Sequence, residues 1–210
     1  MIKLIIFDLW QTLAYRRGDN GPRSIRTMLN KFNLGISIEK AIKIFEDSVQ
    51  TKKWKSKFKA YQNLCENLKI NAEEQNVREL MNIRDSAEEK LRLYSFTIPL
   101  LKKLRKQGYK IGLISNSSEF AIKKVKEKTD LLKYVDYPLF SYNVGVIKPS
   151  QEFFKTMLKT SKLKANECVM IGDKVLDDVI PPKKLGMYSI HFKGYADLKN
   201  HLLKLGIDLK

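Results

Sequence analysis

Thiol and imidazole side chains are scarce in this sequence, with two cysteines and two histidines in 210 residues. Cys65 and Cys168 have neither the number nor the spacing of a disulfide framework or a soft-metal site, so both are expected to be buried thiols. His191 and His201 stand apart from every motif described below. One is expected at a strand end and one on a surface helix, neither with a catalytic role. Long apolar runs are missing too. The opening run, Ile2 with Leu4 to Phe7, is interrupted by Lys3 and closed by Asp8, far short of the ~20 residues that span a bilayer. No small-residue cleavage site follows it, so neither a membrane helix nor a signal peptide is expected, and the protein is expected in the cytoplasm. Acid is short relative to base, 23 Asp and Glu against 40 Lys and Arg, for a formal net charge of +17 at pH 7. Such a surface favours anionic partners, from a phosphorylated metabolite to a nucleic acid or a membrane surface. The basic residues are spread along the chain, however. The stretch "KKWKSKFK" (Lys52 to Lys59) does interleave lysine with aromatics. With no accompanying nucleic-acid motif, it reads as a solvated helix face whose Trp54 and Phe58 turn to the core.

What is present is the composition of a folded globule, 43% hydrophobic and 30% charged. Neither figure is that of a disordered chain. The length suits one domain with an insertion or two small domains. Strand-like runs occupy Ile2 to Phe7, Lys110 to Ile114, Tyr137 to Phe140, Cys168 to Ile171 and Met187 to His191. After residue 94 they alternate with helix-period segments at 95–108, 118–132, 150–163 and 175–186. Such alternation predicts a parallel sheet with helices on both faces. Between residues 14 and 93 the patterns are helical throughout, with Ser37 and Asn71 as N-caps and with Val77, Leu80, Met81, Ala87 and Leu91 on one apolar stripe. The expected architecture is α/β: a doubly wound, Rossmann-like parallel sheet core from residues 1–13 and 94–210, interrupted by a small all-helical domain at 14–93.

Doubly wound sheets bind ligands beyond the carboxyl ends of their strands. Asp8 ends the first strand, with Thr12 just beyond it. Ser115, Asn116, Ser117 and Ser118 follow "KIGLI". Lys148, ahead of Pro149, lies in the loop after "YPLFSYNVGVI", and Asp173, Asp177 and Asp178 follow "CVMIG". Together these supply a candidate nucleophile, hydroxyl and amide donors, a fixed cation and an acidic cluster able to hold a hard metal ion. Taken singly, each has a plainer reading. Asp8 would cap a turn, Ser115 and Asn116 would open a helix, Lys148 would be an exposed loop lysine, and Asp177 and Asp178 would face a helix dipole.

In order along the chain, these four tips resemble the motifs of the haloacid dehalogenase-like hydrolase superfamily. "IIFDLWQTL" is similar to its first motif, an apolar strand ending in Asp-x-Asp-x-Thr, except at the second acid. "IGLISNSS" is similar to the second motif, "GVIKPS" to the third, and "IGDKVLDD" to the fourth, with Asp173 and Asp178. The helical insertion stands where that superfamily carries a small helical cap. The resemblance implies Asp8 as nucleophile, with Lys148 and Ser115 as further catalytic groups. It implies substrate contacts from Trp10, Thr12, Asn116 and Ser117, and a Mg²⁺ ion held by Asp8, the backbone carbonyl of Trp10, Asp173 and Asp178. The implied partner is a small anionic substrate, not a membrane or a nucleic acid, and the implied state is a monomer or homodimer.

The match departs at Trp10, where phosphatases of the superfamily carry an aspartate that protonates the leaving oxygen and later activates water. Gln11 also replaces a common glycine. An aromatic residue at the position of Trp10 is instead a feature of the dehalogenases, because a departing halide needs no proton. Those enzymes work without metal and hold the substrate carboxylate with a cap arginine, for which Arg16, Arg17, Arg23 and Arg26 are available. Gly172 and Asp173 point the other way, to a metal site that dehalogenases generally lack. The favoured expectation is Mg²⁺-dependent cleavage of a small phosphorylated metabolite through an aspartyl-enzyme intermediate. The alternatives are a metal-free 2-haloacid dehalogenase using the same Asp8, and a weakly active or inactive member that binds a phosphorylated ligand.

Overall fold

The computed structural model describes residues 1–18 and 22–209. Its elements run β1 (Leu4–Phe7), β2 (Ala14–Arg16), α1 (Arg23–Lys31), α2 (Ile38–Val49), α3 (Lys57–Leu68), α4 (Glu74–Glu88), β3 (Leu91–Leu93), α5 (Thr97–Lys106) and β4 (Lys110–Ser115). They continue with α6 (Glu119–Lys128), β5 (Tyr137–Phe140), α7 (Ser141–Val144), α8 (Gln151–Ser161), β6 (Cys168–Gly172), α9 (Ile180–Lys184), β7 (Tyr188–His191) and α10 (Tyr195–Lys204).

β1, β4, β5, β6 and β7 form one parallel sheet in the order β5-β4-β1-β6-β7. β1 lies in the middle because all four of its residues are apolar, and a strand covered on both faces needs no polar side. Alternation sends Ile5 and Phe7 to one face, among Leu100, Leu101 and Leu104 of α5. It sends Leu4 and Ile6 to the other, among Phe153, Phe154 and Met157 of α8. Each such side chain, fully buried, stabilises the fold by about 1.5–3 kcal/mol. The sheet is the doubly wound α/β core that the sequence pattern predicts. Because Phe7 is level with both Leu113 and Ile171, the central strands end at one edge, and the polar tips meet there.

The helices α1 to α4 share a separate apolar cluster that includes Met28, Phe45, Tyr61, Leu64, Val77 and Leu80. Ser37 caps α2, accepting a hydrogen bond from the Lys40 N–H. Asn71 does not cap α4. Glu73 holds that place, and the Asn71 side chain instead donates to the Glu73 carboxylate, the local competition to which short amides are prone. Nor is the segment helical to its ends. β2 and β3 pair antiparallel, Ala14 opposite Leu93, so a two-stranded ribbon joins the way in to the way out. Strands of three residues are too short to show a period of two, and Leu91 falls in β3, not on the helical stripe. The lysine–aromatic stretch is also not one helix. α3 starts only at Lys57, behind Ser56 as N-cap, although Trp54 and Phe58 do pack against the helical cluster.

A π-turn at Val175–Val179 precedes α9, where one continuous helix was expected. Pro181 and Pro182 lack the N–H groups that would bond back to the carbonyls of Asp177 and Asp178, so a regular α-helix cannot run through them. Cys65 and Cys168 are buried free thiols, pushed by burial up to about 11 and about 12, and are correspondingly inert. His191 ends β7 and His201 is exposed on α10. Among the described residues, no helix is long and apolar enough to cross a membrane.

Candidate active site

Asp8 leaves β1 with its N–H bonded to the Ile171 carbonyl at 2.8 Å, which fixes the carboxylate at the mouth of the sheet. The residue is 5% exposed. Its Oδ1 accepts from the Lys148 ammonium at 2.6 Å, and its Oδ2 faces the Thr12 hydroxyl at 3.4 Å. Lys148 arrives on the loop between α7 and α8, and the same ammonium lies 2.6 Å from Asp178 Oδ1. That loop is held to the end of β4 by the Lys148 N–H, which donates to Asn116 Oδ1 at 2.8 Å. The second oxygen of Asp178 accepts from the Lys174 N–H at 3.1 Å. β6 has to end in glycine for this to fit, because a Cβ on Gly172 would sit 2.3 Å from Asp178 Cγ.

Ligand oxygens of Asp8, Asp173 and Asp178 all lie within 4.8 Å of one another. Lys148 pairs with Asp8 and Asp178, and the Lys174 ammonium also pulls on Asp173, but the cluster still holds more acid than base. A set of hard carboxylate oxygens with that charge fits Mg²⁺. Burial pushes the Asp8 carboxyl up to about 7; Lys148 pulls it down, and Asp178 and Asp173 add to the rise. Asp173 is raised as well, by burial and by Asp178. For Lys148, burial opposes the charge, but Asp178 and Asp8 outweigh it and hold the ammonium above the usual lysine range.

Trp10 is half-buried beside this cluster. Its indole N–H donates to Ser117 Oγ at 2.9 Å, and that oxygen lies 2.8 Å from Ser115 Oγ. The Arg16 guanidinium sits over the indole ring, 3.6 Å from its centroid. Arg16 is also paired with Glu88 through Nη2 at 2.9 Å and Nε at 3.2 Å, and Glu88 takes Arg84 at 2.8 Å. Burial alone would raise the Glu88 carboxyl; Arg84 and Arg16 outweigh it and hold the group below its ordinary range.

A cavity of about 180 Å³ opens between the strand tips and α2. Asp8, Trp10, Asn116, Lys148, Asp173 and Asp178 line it. Thr12, Ser115 and Ser117 are not among the described residues that do; they are buried behind its wall. Of the arginines considered from sequence, Arg16 reaches the cavity, whereas Arg17, Arg23 and Arg26 are not among its described lining residues. Sequence reasoning missed Arg84, Glu46 and Gln50, which also line it. Glu46 and Gln50 stand four residues apart, one helical turn, next to the buried Phe45 and Val49. Two polar groups at that spacing beside an apolar stripe are the signal that would have found them. Gln50 is buried and its Oε1 has no hydrogen-bond partner.

A family model described as haloacid dehalogenase-like hydrolase matches residues 2–186. Glyceraldehyde 3-phosphate phosphatase of Methanocaldococcus jannaschii is 37% identical over 117 residues, covering 52% of this chain and 49% of that protein. The chain spans about half the length of the curated relatives it matches. A HAD family enzyme from Bacteroides thetaiotaomicron, solved in complex with magnesium and inorganic phosphate, superposes with a TM-score of 0.68 at 19% identity, covering 92% of this chain and 95% of that one. A 2-haloacid dehalogenase from Pseudomonas syringae pv. Tomato superposes with a TM-score of 0.61 at 22% identity, covering 93% and 90%. At such identities the likeness is one of fold, and it does not separate the two chemistries.

Proposed function

We propose, because this chain belongs to the haloacid dehalogenase-like hydrolase family, that it is a Mg²⁺-dependent phosphatase of a small phosphorylated metabolite with Asp8 as nucleophile. One observation carries the choice: three carboxylates converge within 4.8 Å, and only two of them, Asp8 and Asp178, pair with Lys148. A metal-free dehalogenase has no use for that arrangement. A second observation supports it. Both arginines that line the cavity, Arg16 and Arg84, are engaged with Glu88, which competes with any substrate carboxylate for them. The phosphatase named among the relatives agrees with a small phosphorylated substrate.

Bound at Asp8, Asp173, Asp178 and the Trp10 backbone carbonyl, Mg²⁺ would neutralise the nucleophile's charge and that of the phosphoryl oxygens. Asp8 attacks phosphorus, and the bond to the leaving oxygen breaks with its electron pair going to that oxygen. Water then attacks phosphorus, and Asp8 departs as carboxylate. Lys148 keeps Asp8 aimed and places a fixed positive charge beside the transferring group. Asn116 positions the Lys148 loop, while Thr12, Ser115 and Ser117 brace the strand tips from behind. Residues 14–93 act as the cap, with α2 closing the cavity over the core of residues 1–13 and 94–210.

Purified protein is expected to release phosphate from p-nitrophenyl phosphate, and from members of a panel of sugar phosphates and phosphoglycolate. Excess EDTA should stop the release and added Mg²⁺ restore it. An absence of Mg²⁺-dependent release across the panel would sink the proposal. Chloride release from 2-chloropropionate that persists in EDTA would replace it with the dehalogenase reading.

A further inference from the structure

Trp10 stands where a proton-transferring acid is needed, yet an indole cannot give a proton to a leaving oxygen, and its N–H is already donated to Ser117. Cleavage of an ordinary phosphate ester still requires that proton. The cavity holds other carboxylates, most of them committed. Asp8 is the proposed nucleophile, Asp173 and Asp178 belong to the acidic cluster, and Asp177 lies on the Lys174 turn itself, with that ammonium, which also attracts Glu46, at 3.5 Å. Glu46 differs in origin and setting. It comes from α2, and its Oε2 lies 3.4 Å from the Asn116 side-chain NH₂. The other end of that amide, Oδ1, takes the Lys148 N–H at 2.8 Å. One side chain therefore spans from the Lys148 loop to the Glu46 carboxylate, and the Lys148 amide decides which way round it sits, with its NH₂ toward Glu46.

We propose that Glu46 supplies the proton transfer that Trp10 cannot, acting from the α2 wall of the same cavity. The assignment rests on the phosphatase reading. In the first step, Asp8 bonds to phosphorus while the ester P–O bond breaks, and the leaving oxygen takes the Glu46 carboxyl proton. In the second, the Glu46 carboxylate accepts a proton from water as the water oxygen bonds to phosphorus, and the bond from phosphorus to Asp8 breaks. Glu46 ends protonated and Asp8 ends ionised, as both began. The surroundings suit a group that must hold a proton and give it up. Burial holds the Glu46 carboxyl above its ordinary range; Lys174, the Asn116 hydrogen bond and Lys148 oppose the rise, and Asp177 adds to it. Gln50, one turn further along and unpartnered at Oε1, offers a second polar group from the same wall.

The test is E46Q, compared with wild type on two aryl esters with Mg²⁺. The glutamine keeps the volume and the oxygen that Asn116 contacts. p-Nitrophenolate leaves without help, whereas the phenolate of phenyl phosphate is about as basic as a tyrosinate and needs a proton. The value of kcat/KM for phenyl phosphate is expected to fall by about 10²–10⁴-fold, and that for p-nitrophenyl phosphate by less than about tenfold. A smaller folded fraction lowers both esters alike, so the contrast survives any loss of stability. Equal losses on the two esters, or no loss on either, would overturn the role of Glu46 and leave the phosphatase reading standing. Wild-type protein inert toward both esters would overturn the phosphatase reading and this assignment with it.

Discussion

Asp8→Asn is expected to abolish turnover, lowering kcat/KM by about 10⁴-fold or more, without lowering stability. The amide keeps the shape and an oxygen for the Lys148 ammonium, but it cannot attack phosphorus. Stability should move the other way, because burial raises the Asp8 carboxyl from its usual 3.8 to about 7. A carboxyl raised on folding makes the native state hold a proton that the unfolded chain has already lost. Its contribution to stability is complete below the unfolded value and is lost as pH rises through the folded one. In EDTA, the variant should therefore gain on wild type between about pH 5.5 and about pH 8, reaching about 1–2 kcal/mol, the trade expected at a strained active-site group. Urea melts at the two pH values check this. Retained turnover, or an equal loss of stability at both, would contradict it.

Lys148→Ala is expected to produce the largest loss of stability. The ammonium contacts Asp8 and Asp178 at 2.6 Å each, and all three side chains are almost fully buried. Removing it leaves two buried carboxylates facing each other, at a cost of about 3–5 kcal/mol. Turnover should be lost as well. With the cation gone, the Asp8 carboxyl rises further, so the deficit should be smaller at about pH 6 than at about pH 8. Adding Asp8→Asn to Lys148→Ala should recover part of the loss, a coupling of about 0.5–3 kcal/mol measurable in a double-mutant cycle. A Lys148→Ala protein that melts like wild type would show that the three groups do not form one electrostatic unit.

The sheet was legible because its strands carry their burial in their composition. "LIIF" and "CVMI" have no polar side, and only the middle of a parallel sheet accommodates that. The strand tips were legible for a related reason. Asp8 alone would read as a turn cap, but polar residues recur just after the apolar runs that end at Phe7, Ile114 and Ile171, and that recurrence at one sheet edge points to chemistry. Spatial neighbours far apart in sequence were not legible. Arg16 meets Glu88 across 72 positions, and Asn116 meets Glu46 across 70, with no periodicity to link them. β2 and β3 are shorter than the window a period needs, and the cap of α4 turned on whether Asn71 would spend its side chain on Glu73. Trp10 shows the division within one residue. The sequence reveals that the expected acid is missing. Only the structure reveals that the indole spans from Arg16 to Ser117, and that a different carboxylate, Glu46, shares the cavity.

Phosphatase chemistry of this kind requires Asp8 to take the phosphoryl group. Its most direct test is to mix the Mg²⁺-loaded enzyme with excess p-nitrophenyl phosphate, quench in acid during turnover and map the peptides by mass. One phosphoryl adduct is expected, on the peptide carrying Asp8 and at that side chain, and none in Asp8→Asn. Phosphate release by Asp8→Asn at the wild-type rate, with the adduct elsewhere or nowhere, would contradict it.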